Sequence, residues 1–310
     1  MKATLNEIHN YIGSQRFVFV GCASFEDRCL SIPRSIDIGN IEKALIFRAK
    51  EFLFYSERNS NHLASIFKDK FVEVPFSISN PFTVADRISS FLCSGTLCLD
   101  SYNVIFDIST FTRESMLIIL RYLLINRSAL GRVVLLYNST ANMPDHLSLG
   151  PLALRSVLGY SGIMYPTRPL HLILILGFEI ERAREIITRL EPQMLSIAYG
   201  KQSGSINSEL HDRNSRFLDQ MQCAYGSTMT AFPISVVDPF ETSTDLAEYS
   251  LKFNEFNTVI SPLNTKLSAI GAGLYCIDNP EAQICYLQMG EYNFSEYSTP
   301  SDSFYGYDMP

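Results

Sequence analysis

Short apolar runs rich in β-branched and aromatic residues alternate along the chain with segments of helical periodicity. Phe17 to Gly21 is an almost uninterrupted apolar run, as expected for a strand that is covered on both faces. Further runs of this kind follow at 44–48, 71–76, 103–107 and 132–137. Between them, residues 83–92 and 112–126 have the 3.6-residue periodicity of helices. The alternation predicts parallel α/β layers rather than a β-sandwich.

The same order of segments begins again at Leu172, after a stretch from about 141 to 169 that is interrupted by Pro, Gly and Ser. A single offset of 153 residues superposes two strands and two polar motifs. The pairs are 44–47 with 197–200, 132–138 with 285–291, Phe25-Glu26 with Phe178-Glu179, and Thr112-Arg113-x-Ser115 with Thr265-Lys266-x-Ser268. We interpret this repeat as a tandem duplication of one Rossmann-like unit. It predicts two α/β lobes with mainly parallel sheets, related by a pseudo-twofold axis.

The repeat also predicts the domain boundaries. We expect an N-terminal lobe at 1–140, a connector at 141–170, a C-terminal lobe at 171–291 and a tail at 292–310. The tail is rich in Ser, Tyr and Asp and has no Lys or Arg. Its aromatic residues include Phe294, Tyr297, Phe304, Tyr305 and Tyr307. We expect the tail either to be disordered or to be an aromatic arm that becomes ordered against a partner subunit.

Charge is unevenly distributed over the 310 residues. Residues 1–200 carry 20 basic and 18 acidic side chains (+2), whereas residues 201–310 carry 5 and 14 (−9). A generally basic surface for extended nucleic acid is therefore not expected. Local cationic pockets remain compatible with the first 200 residues. The acidic last third is consistent with a solvated face or with a surface for a basic protein partner.

The sequence predicts a cytoplasmic protein without a membrane anchor. The first residues show no export signal, and the most apolar runs, 116–125 and 170–178, are shorter than the roughly 20 residues that span a bilayer. The seven cysteines are scattered and include no C-x-x-C pair, and the histidines are far apart. We therefore expect no disulfide framework, no metal site and no cofactor.

The loops that follow the predicted strands contain the candidate ligand-binding residues. In open parallel sheets, ligands bind beyond the carboxyl ends of the strands, where helix N-termini present backbone N–H groups. Hydroxyl groups and a cation just ahead of a helix are suited to binding a phosphate. The candidates are Ser24, Arg28, Ser109, Thr110, Thr112 and Arg113 in the first half, and Arg182, Asn264, Thr265 and Lys266 in the second.

Purely structural roles are an equally simple explanation for the presence of these residues. Thr112 and Thr265 are also suitable N-caps, and Arg113 and Lys266 could pair with acidic residues at the strand ends. Glu26 and Glu179, at matching positions beyond the first strand of each half, are candidate general acid/base residues. The alternative for these two carboxylates is an ion pair with Arg28 or Arg182, which we favour.

The segment Ser261-Pro262-Leu263-Asn264-Thr265-Lys266, with the helix and the strand 283–287 that follow it, resembles the T-G-G-T-K-x-M loop of CARF domains. Two such units in one chain resemble the SAVED arrangement. Leu263-Asn264 replaces the double glycine of that loop, and Phe111-Thr112-Arg113 stands at the corresponding place in the first half. The resemblance implies a sensor that binds a cyclic oligonucleotide in antiviral (anti-phage) defence.

These observations together predict that a nucleotide-type anionic ligand binds in a cleft between the two lobes. The protein would act as a sensor or regulatory subunit and would pass the signal to an effector protein or a complex partner. One alternative is a nucleotide- or nucleoside-processing enzyme of hydrolase or glycosidase type that uses Glu26 or Glu179. Another is a non-catalytic scaffold subunit of a multiprotein complex.

Overall fold

A computed structural model describes residues 1–93, 102–142, 144, 147–294 and 298–310. Within these residues the chain forms two mixed, mainly parallel sheets, of seven and six strands, and nine α-helices. The chain divides into two compact units. The first unit contains Met1–Pro144 together with Phe294–Pro310, and the second contains Asp145–Asn293. The predicted α/β class with mainly parallel sheets is confirmed.

The strands are β1 (Lys2–Thr4), β2 (Phe17–Ala23), β3 (Ile41–Ala49), β4 (Phe71–Phe76), β5 (Asn103–Asp107), β6 (Val133–Thr140), β7 (Ser148–Ser156), β8 (Leu170–Ile175), β9 (Met194–Gly200), β10 (Met229–Ile234), β11 (Asn257–Pro262), β12 (Gln283–Tyr292) and β13 (Pro300–Asp308). The helices are α1 (Ile8–Ile12), α2 (Ser31–Ser35), α3 (Leu53–Phe67), α4 (Phe82–Cys93), α5 (Arg113–Ile125), α6 (Ile180–Leu190), α7 (Ser208–Tyr225), α8 (Pro239–Ser250) and α9 (Lys266–Asp278). The strands expected in the first half correspond to β2 through β6, and the helices expected at 83–92 and 112–126 correspond to α4 and α5.

The sheet of the first unit has the strand order β1-β13-β6-β5-β2-β3-β4. Strands β2 to β6 are parallel, whereas β13 pairs antiparallel with both β6 and β1. All residues of β2 are buried, as the apolar run predicts for a central strand with both faces covered. The ring of Phe19 packs against that of Phe67 in α3, with 5.0 Å between centroids. The core of this unit thus lies between the central strands and the helices that follow them.

The sheet of the second unit has the order β10-β9-β8-β11-β12-β7. Strands β8 to β12 are parallel and β7 pairs antiparallel with β12. The core contains Leu172 and Leu174 of β8, which pack with Ile186 of α6 and Ile197 of β9. Helix α6 presents its apolar residues to this core and, apart from the buried Arg182, its charged residues toward solvent, which is the usual pattern of a surface helix.

Both sheets reverse their order beside the first parallel strand of the unit. The reversal lies between β2 and β5 in the first unit and between β8 and β11 in the second. The antiparallel strand of each sheet comes from a distant part of the chain. Strand β7 directly follows β6 along the sequence but pairs with β12, and β13 directly follows β12 but pairs with β6.

The unit boundaries differ from the predicted boundaries because of these two antiparallel strands. Residues 148–156, expected in the connector, form β7, and residues 300–308, expected in the tail, form β13. The expected disordered or partner-bound arm is thus replaced, in the described part of the tail, by a strand whose Phe304 is fully buried. Tyr297 lies outside the described residues. No helix in the described part of the chain is both long enough and apolar enough to cross a membrane.

Candidate functional site

The loops that contain the predicted site residues lie at the point where each sheet reverses its order. In α/β sheets, ligands bind in the crevice beyond the carboxyl ends of the strands at such a switch point. In the first unit, the hydroxyl of Thr110 donates a hydrogen bond to the carbonyl oxygen of Cys22 at 2.7 Å. In the second unit, the amide of Asn264 donates to the carbonyl oxygen of Leu176 at 2.5 Å. Each unit thus joins the carboxyl end of its first parallel strand, or the residue just after it, to the loop across the switch point.

Buried asparagines from the helices α3 and α7 support the same loops. Asn59 Nδ2 donates to the carbonyl oxygen of Ser24 at 3.0 Å, and Asn214 Nδ2 donates to that of Gly177 at 3.2 Å. Both asparagines are at most 3% exposed. The sequence prediction missed them, because an asparagine within a helix is usually found on the solvated face.

In the first unit, Glu26 and Arg28 form a buried ion pair with a serine from a distant segment. The Arg28 Nη2 and Nε atoms donate to Glu26 Oε2 at 2.6 and 3.0 Å. Ser298 Oγ donates to the same carboxylate oxygen at 2.5 Å and accepts from Arg28 Nε at 2.9 Å. The side chains of the ion pair are 3% and 4% exposed. We call Glu26, Arg28 and Ser298 the first trio.

The second unit contains the same combination of residue types beyond β8. Arg182 Nη1 donates to Glu179 Oε2 at 3.1 Å, and the hydroxyl of Ser148 donates to Glu179 Oε1. The side chains of the ion pair are 4% and 10% exposed. We call Glu179, Arg182 and Ser148 the second trio. Each serine belongs to the segment that begins the antiparallel strand of its sheet. Ser148 and Ser298 are 150 residues apart, and each donates to the carboxylate of its own trio.

Each arginine also contacts the strand next to the antiparallel strand. Arg28 Nη1 donates to the carbonyl oxygen of Asn138 at 3.1 Å, and Arg182 donates to that of Leu287. Tyr137 and Tyr286, which immediately precede these two residues, both interact with the arginines; the Arg182 guanidinium carbon lies 5.2 Å from the centre of the Tyr286 ring.

These contacts give the structural register of β6 and β12. Tyr137 corresponds to Tyr286, an offset of 149 residues rather than 153. The sheet pairing agrees with this register. In the first unit Ile105 of β5 pairs with Val134 of β6, and in the second unit Val259 of β11 pairs with Gln283 of β12. The expected match of 132–138 with 285–291 is therefore wrong by four residues. The loop before β12, residues 279–282, is three residues shorter than the loop before β6, residues 126–132, which accounts for most of the difference.

Both arginines are held in the charged form. Burial opposes the charge of Arg28, but Glu26 and Tyr137 outweigh it and raise the arginine pKa above its usual value. For Arg182, burial is again the largest opposing effect, and Tyr286 and Glu179 raise the pKa above its usual value. Of the two roles considered for Glu26 and Glu179, the structure places both in ion pairs. Each carboxylate already accepts hydrogen bonds from an arginine and a serine hydroxyl, which leaves it less available to a substrate.

The remaining candidates lie at the starts of α5 and α9. Thr112 and Thr265 are the N-caps of these helices and accept hydrogen bonds from the backbone N–H groups of Ser115 and Ser268 at 3.1 and 3.0 Å. Arg113 and Lys266 are the first residues of the two helices and are half-buried.

Ser109, in contrast, is fully buried, and its hydroxyl donates to Asp107 Oδ1 at 2.5 Å. Most of the predicted hydroxyl groups thus stabilise the loops through hydrogen bonds within the protein. Arg113 and Lys266 lie beside the position that an anion bound at the helix N-terminus would occupy.

The second unit also contains a cavity beside its trio, with a volume of about 260 Å³. We call it the β7–α6 cavity. It is lined by Leu147–Pro151, Phe178–Arg182, Glu185, Phe217 and Met289. Ser148, Glu179 and Arg182 are therefore both members of the trio and part of the cavity wall.

The sequence contained only weak signals for the two serines. Ser148 and Ser298 lie in segments that sequence reasoning assigned to the connector and the tail, and their partners are 31 and 272 residues away. The spacing between the two serines, 150 residues, is close to the repeat offset and could have identified them as counterparts.

No group of three or more His, Cys, Asp or Glu side chains in the described ranges is arranged to hold a metal ion. No protein-family model matches the sequence, and a comparison with curated proteins found no match.

Proposed function

We propose that this protein binds a nucleotide-type anionic ligand at the carboxyl edges of its sheets and acts as a sensor or regulatory subunit. The observation that carries the proposal is that the same arrangement occurs in both units. At each switch point a threonine caps a 13-residue helix, and a cation, Arg113 or Lys266, is the first helical residue. The N-terminus of a helix attracts anions through its unpaired N–H groups and its dipole, and an adjacent cation strengthens this attraction.

The buried trios favour binding over catalysis. A general base must offer an available carboxylate within reach of the substrate proton. Glu26 and Glu179 are instead paired with arginines and covered, so using either as a base would require an ion pair to open. The equivalent hydrogen bonds in the two units support a duplicated binding fold. The role in antiviral defence, with an effector as partner, rests on the resemblance of the β11–α9 loop to CARF domains.

Thermal denaturation with a panel of mono-, di- and cyclic nucleotides tests the proposal. A ligand that binds only the native state raises the melting temperature in proportion to the logarithm of its concentration over its Kd. We expect stabilisation by at least one nucleotide and no product by mass spectrometry. Arg113→Ala and Lys266→Ala should each weaken binding about tenfold or more, because each removes a charge-assisted contact.

Matched control variants lie at the amino ends of the same sheets. Arg16 precedes β2, and Lys252 lies in the segment before β11. Arg16→Ala and Lys252→Ala should leave nucleotide affinity unchanged. The proposal fails if no nucleotide shifts the melting temperature, if a nucleotide is converted to product, or if Arg113→Ala and Lys266→Ala both keep the wild-type affinity.

A further inference from the structure

Large apolar side chains are exposed at the carboxyl edge of the first unit's sheet. They belong to the first turn of α3, which follows β3, and to the first residue of α4, which follows β4. We call this surface the aromatic patch. Its members are Leu53, Phe54, Tyr55 and Phe82, which are 42%, 83%, 48% and 61% exposed. Single exposed apolar residues are common on proteins, whereas a group of large ones at one edge indicates an interaction surface.

Hydrogen bonds of Glu51 join the two parts of the aromatic patch. Glu51 lies two residues before α3, and its carboxylate accepts from the backbone N–H groups of Ile78 and Ser79 at 3.1 and 3.2 Å. Those two residues belong to the loop between β4 and α4, just ahead of Phe82. The loop that leads to Phe82 is therefore fixed against the segment that leads to Leu53.

Half-buried aromatic rings hold the exposed rings in place. The ring of Tyr55 stacks on that of Phe294, with 3.8 Å between centroids and 4° between planes. Phe294 in turn contacts Phe25 and Phe52, with 4.9 and 5.6 Å between centroids. Phe54 lies edge-on to Tyr55 at 5.4 Å. Because these rings already have fixed neighbours, little side-chain entropy is lost when a partner covers them.

A comparison with the second unit shows that the fold does not require apolar residues here. Helices α3 and α7 each follow the second parallel strand of their unit, and each carries a buried asparagine, Asn59 or Asn214, as its seventh residue. The starts of the two helices therefore correspond. Helix α7 begins with the exposed Ser208-Glu209 where α3 begins with Leu53-Phe54. The apolar start of α3 is thus particular to the first unit and is not a property of the fold.

The charged residues beside the aromatic patch are of both signs. Lys50 and Glu57 flank its α3 part along the chain, and the neighbouring Arg58 pairs with Asp27. All four are exposed. A nucleic acid would require an excess of basic residues, and a strongly basic protein would require an excess of acidic ones. A balanced rim instead suits a second copy of the same surface, because each basic group can then face an acidic group of the other copy.

The size of the aromatic patch agrees with this occupant. At about 200 Å² for a fully exposed large side chain, its four residues expose on the order of 450 Å². An interface of standard size buries about 800 Å² of each partner, of which a little more than half is apolar. The patch therefore provides the apolar centre of one such interface, and the charged residues beside it provide a polar rim.

We infer that the aromatic patch is the interface of a twofold-symmetric homodimer, in which the patch of one copy packs against the patch of the other. Phe54, the most exposed member, is the central contact. The inference goes beyond the proposed function, because no residue of the patch is among the candidate ligand-binding residues.

Sedimentation velocity of the full chain over a range of concentrations tests the inference. Interfaces of this size give dissociation constants in the micromolar range or below, so we expect the wild-type protein to be mostly dimeric at about 50 μM. Phe54→Ser should raise the dimer Kd at least about tenfold, because the dimer loses two buried rings. Ile125→Ser is the matched control, since Ile125 is 66% exposed at the last residue of α5 and lies outside the patch. It should keep the wild-type Kd, and circular dichroism should show the wild-type fold for both variants.

Titration of labelled wild-type protein with unlabelled Phe54→Ser tests the symmetry of the dimer. In a twofold interface the mixed dimer loses one ring rather than two, so its affinity should lie between those of the two pure dimers. The inference is overturned if the wild type stays monomeric at about 50 μM, whether or not it binds a different protein through the patch. It is also overturned if Phe54→Ser dimerises as the wild type does, if Ile125→Ser weakens the dimer equally, or if the mixed dimer is as tight as the wild-type dimer. The proposed function survives each of these results.

Discussion

A buried histidine in the second unit should make its stability fall steeply in weak acid. His171 of β8 is fully buried, and its ring lies 4.2 Å from that of Phe253, measured between centroids. Its Nε2 lies 2.8 Å from the hydroxyl of Ser196, which also contacts Thr230 and Tyr249. Burial lowers the pKa of His171 from 6.5 to about 4, because the charged imidazolium would lose its hydration.

The sign and size of the effect follow from this pKa. Because the pKa is lower in the folded state, the unfolded chain binds more protons between pH 6.5 and about 4. Stability is therefore complete above pH 6.5 and is lost as the pH falls through this window. The loss due to His171 is about 2 kcal/mol at pH 5 and roughly 3 kcal/mol below the folded pKa.

Urea denaturation of wild type and His171→Gln at several pH values between 7 and 4.5 measures this loss. The glutamine variant is uncharged throughout, so we expect a lower stability at pH 7 but a much flatter dependence on pH. The exposed His62 provides the control, since His62→Gln should keep the wild-type slope. NMR titration of the histidine ring protons measures the pKa of His171 directly. An unchanged acid slope in His171→Gln, or a ring that titrates near 6.5, would refute the reasoning.

Three further variants probe the switch-point loops, each by its melting temperature and free energy of unfolding. Gly177→Ala should cost about 1–3 kcal/mol or prevent folding, because its Cβ would lie 1.9 Å from a carbonyl oxygen of the β11–α9 loop; a wild-type melting temperature would contradict this contact. Thr112→Ala should cost about 1 kcal/mol through the lost N-cap, and serine at this position should restore most of it. Glu26→Gln should lower the free energy of unfolding by roughly 3–5 kcal/mol, because it leaves Arg28 buried without its carboxylate. The control is Asp27→Asn at the neighbouring, exposed carboxylate, which should cost under about 1 kcal/mol. Equal losses in the two variants would exclude a special role for burial.

Much of the architecture could be predicted because central parallel strands have a local sequence signature. Both β2 and β8 are buried on both faces, so they appear as continuous apolar runs that periodicity analysis identifies. The helix starts at Thr112 and Thr265 are equally local, since an N-cap contacts a residue three positions further along the chain.

The antiparallel strands could not be predicted in the same way. In β13, Ser and Asp precede a run of buried residues, and the strand pairs with β6, which lies more than 150 residues earlier in the chain. Nothing local distinguishes such a segment from a polar tail. Because each trio includes a serine from one of these segments, the composition of the trios could not be predicted from the sequence either. The ion pairs of Glu26 and Glu179 were found, since their arginines lie within three residues.

The exchanged antiparallel strands determine the order in which the first unit can be completed during synthesis. Its last parallel strand, β6, is buried along its whole length, and one of its edges pairs with β13. Residues 300–308 leave the ribosome only after the entire second unit has been made. Until then that edge of β6 is an unpaired and largely apolar template, which is the kind of edge at which nascent chains aggregate. A fragment that stops after residue 144 would keep this open edge permanently, so the first unit is best expressed with β13 restored to it by a linker or a circular permutation.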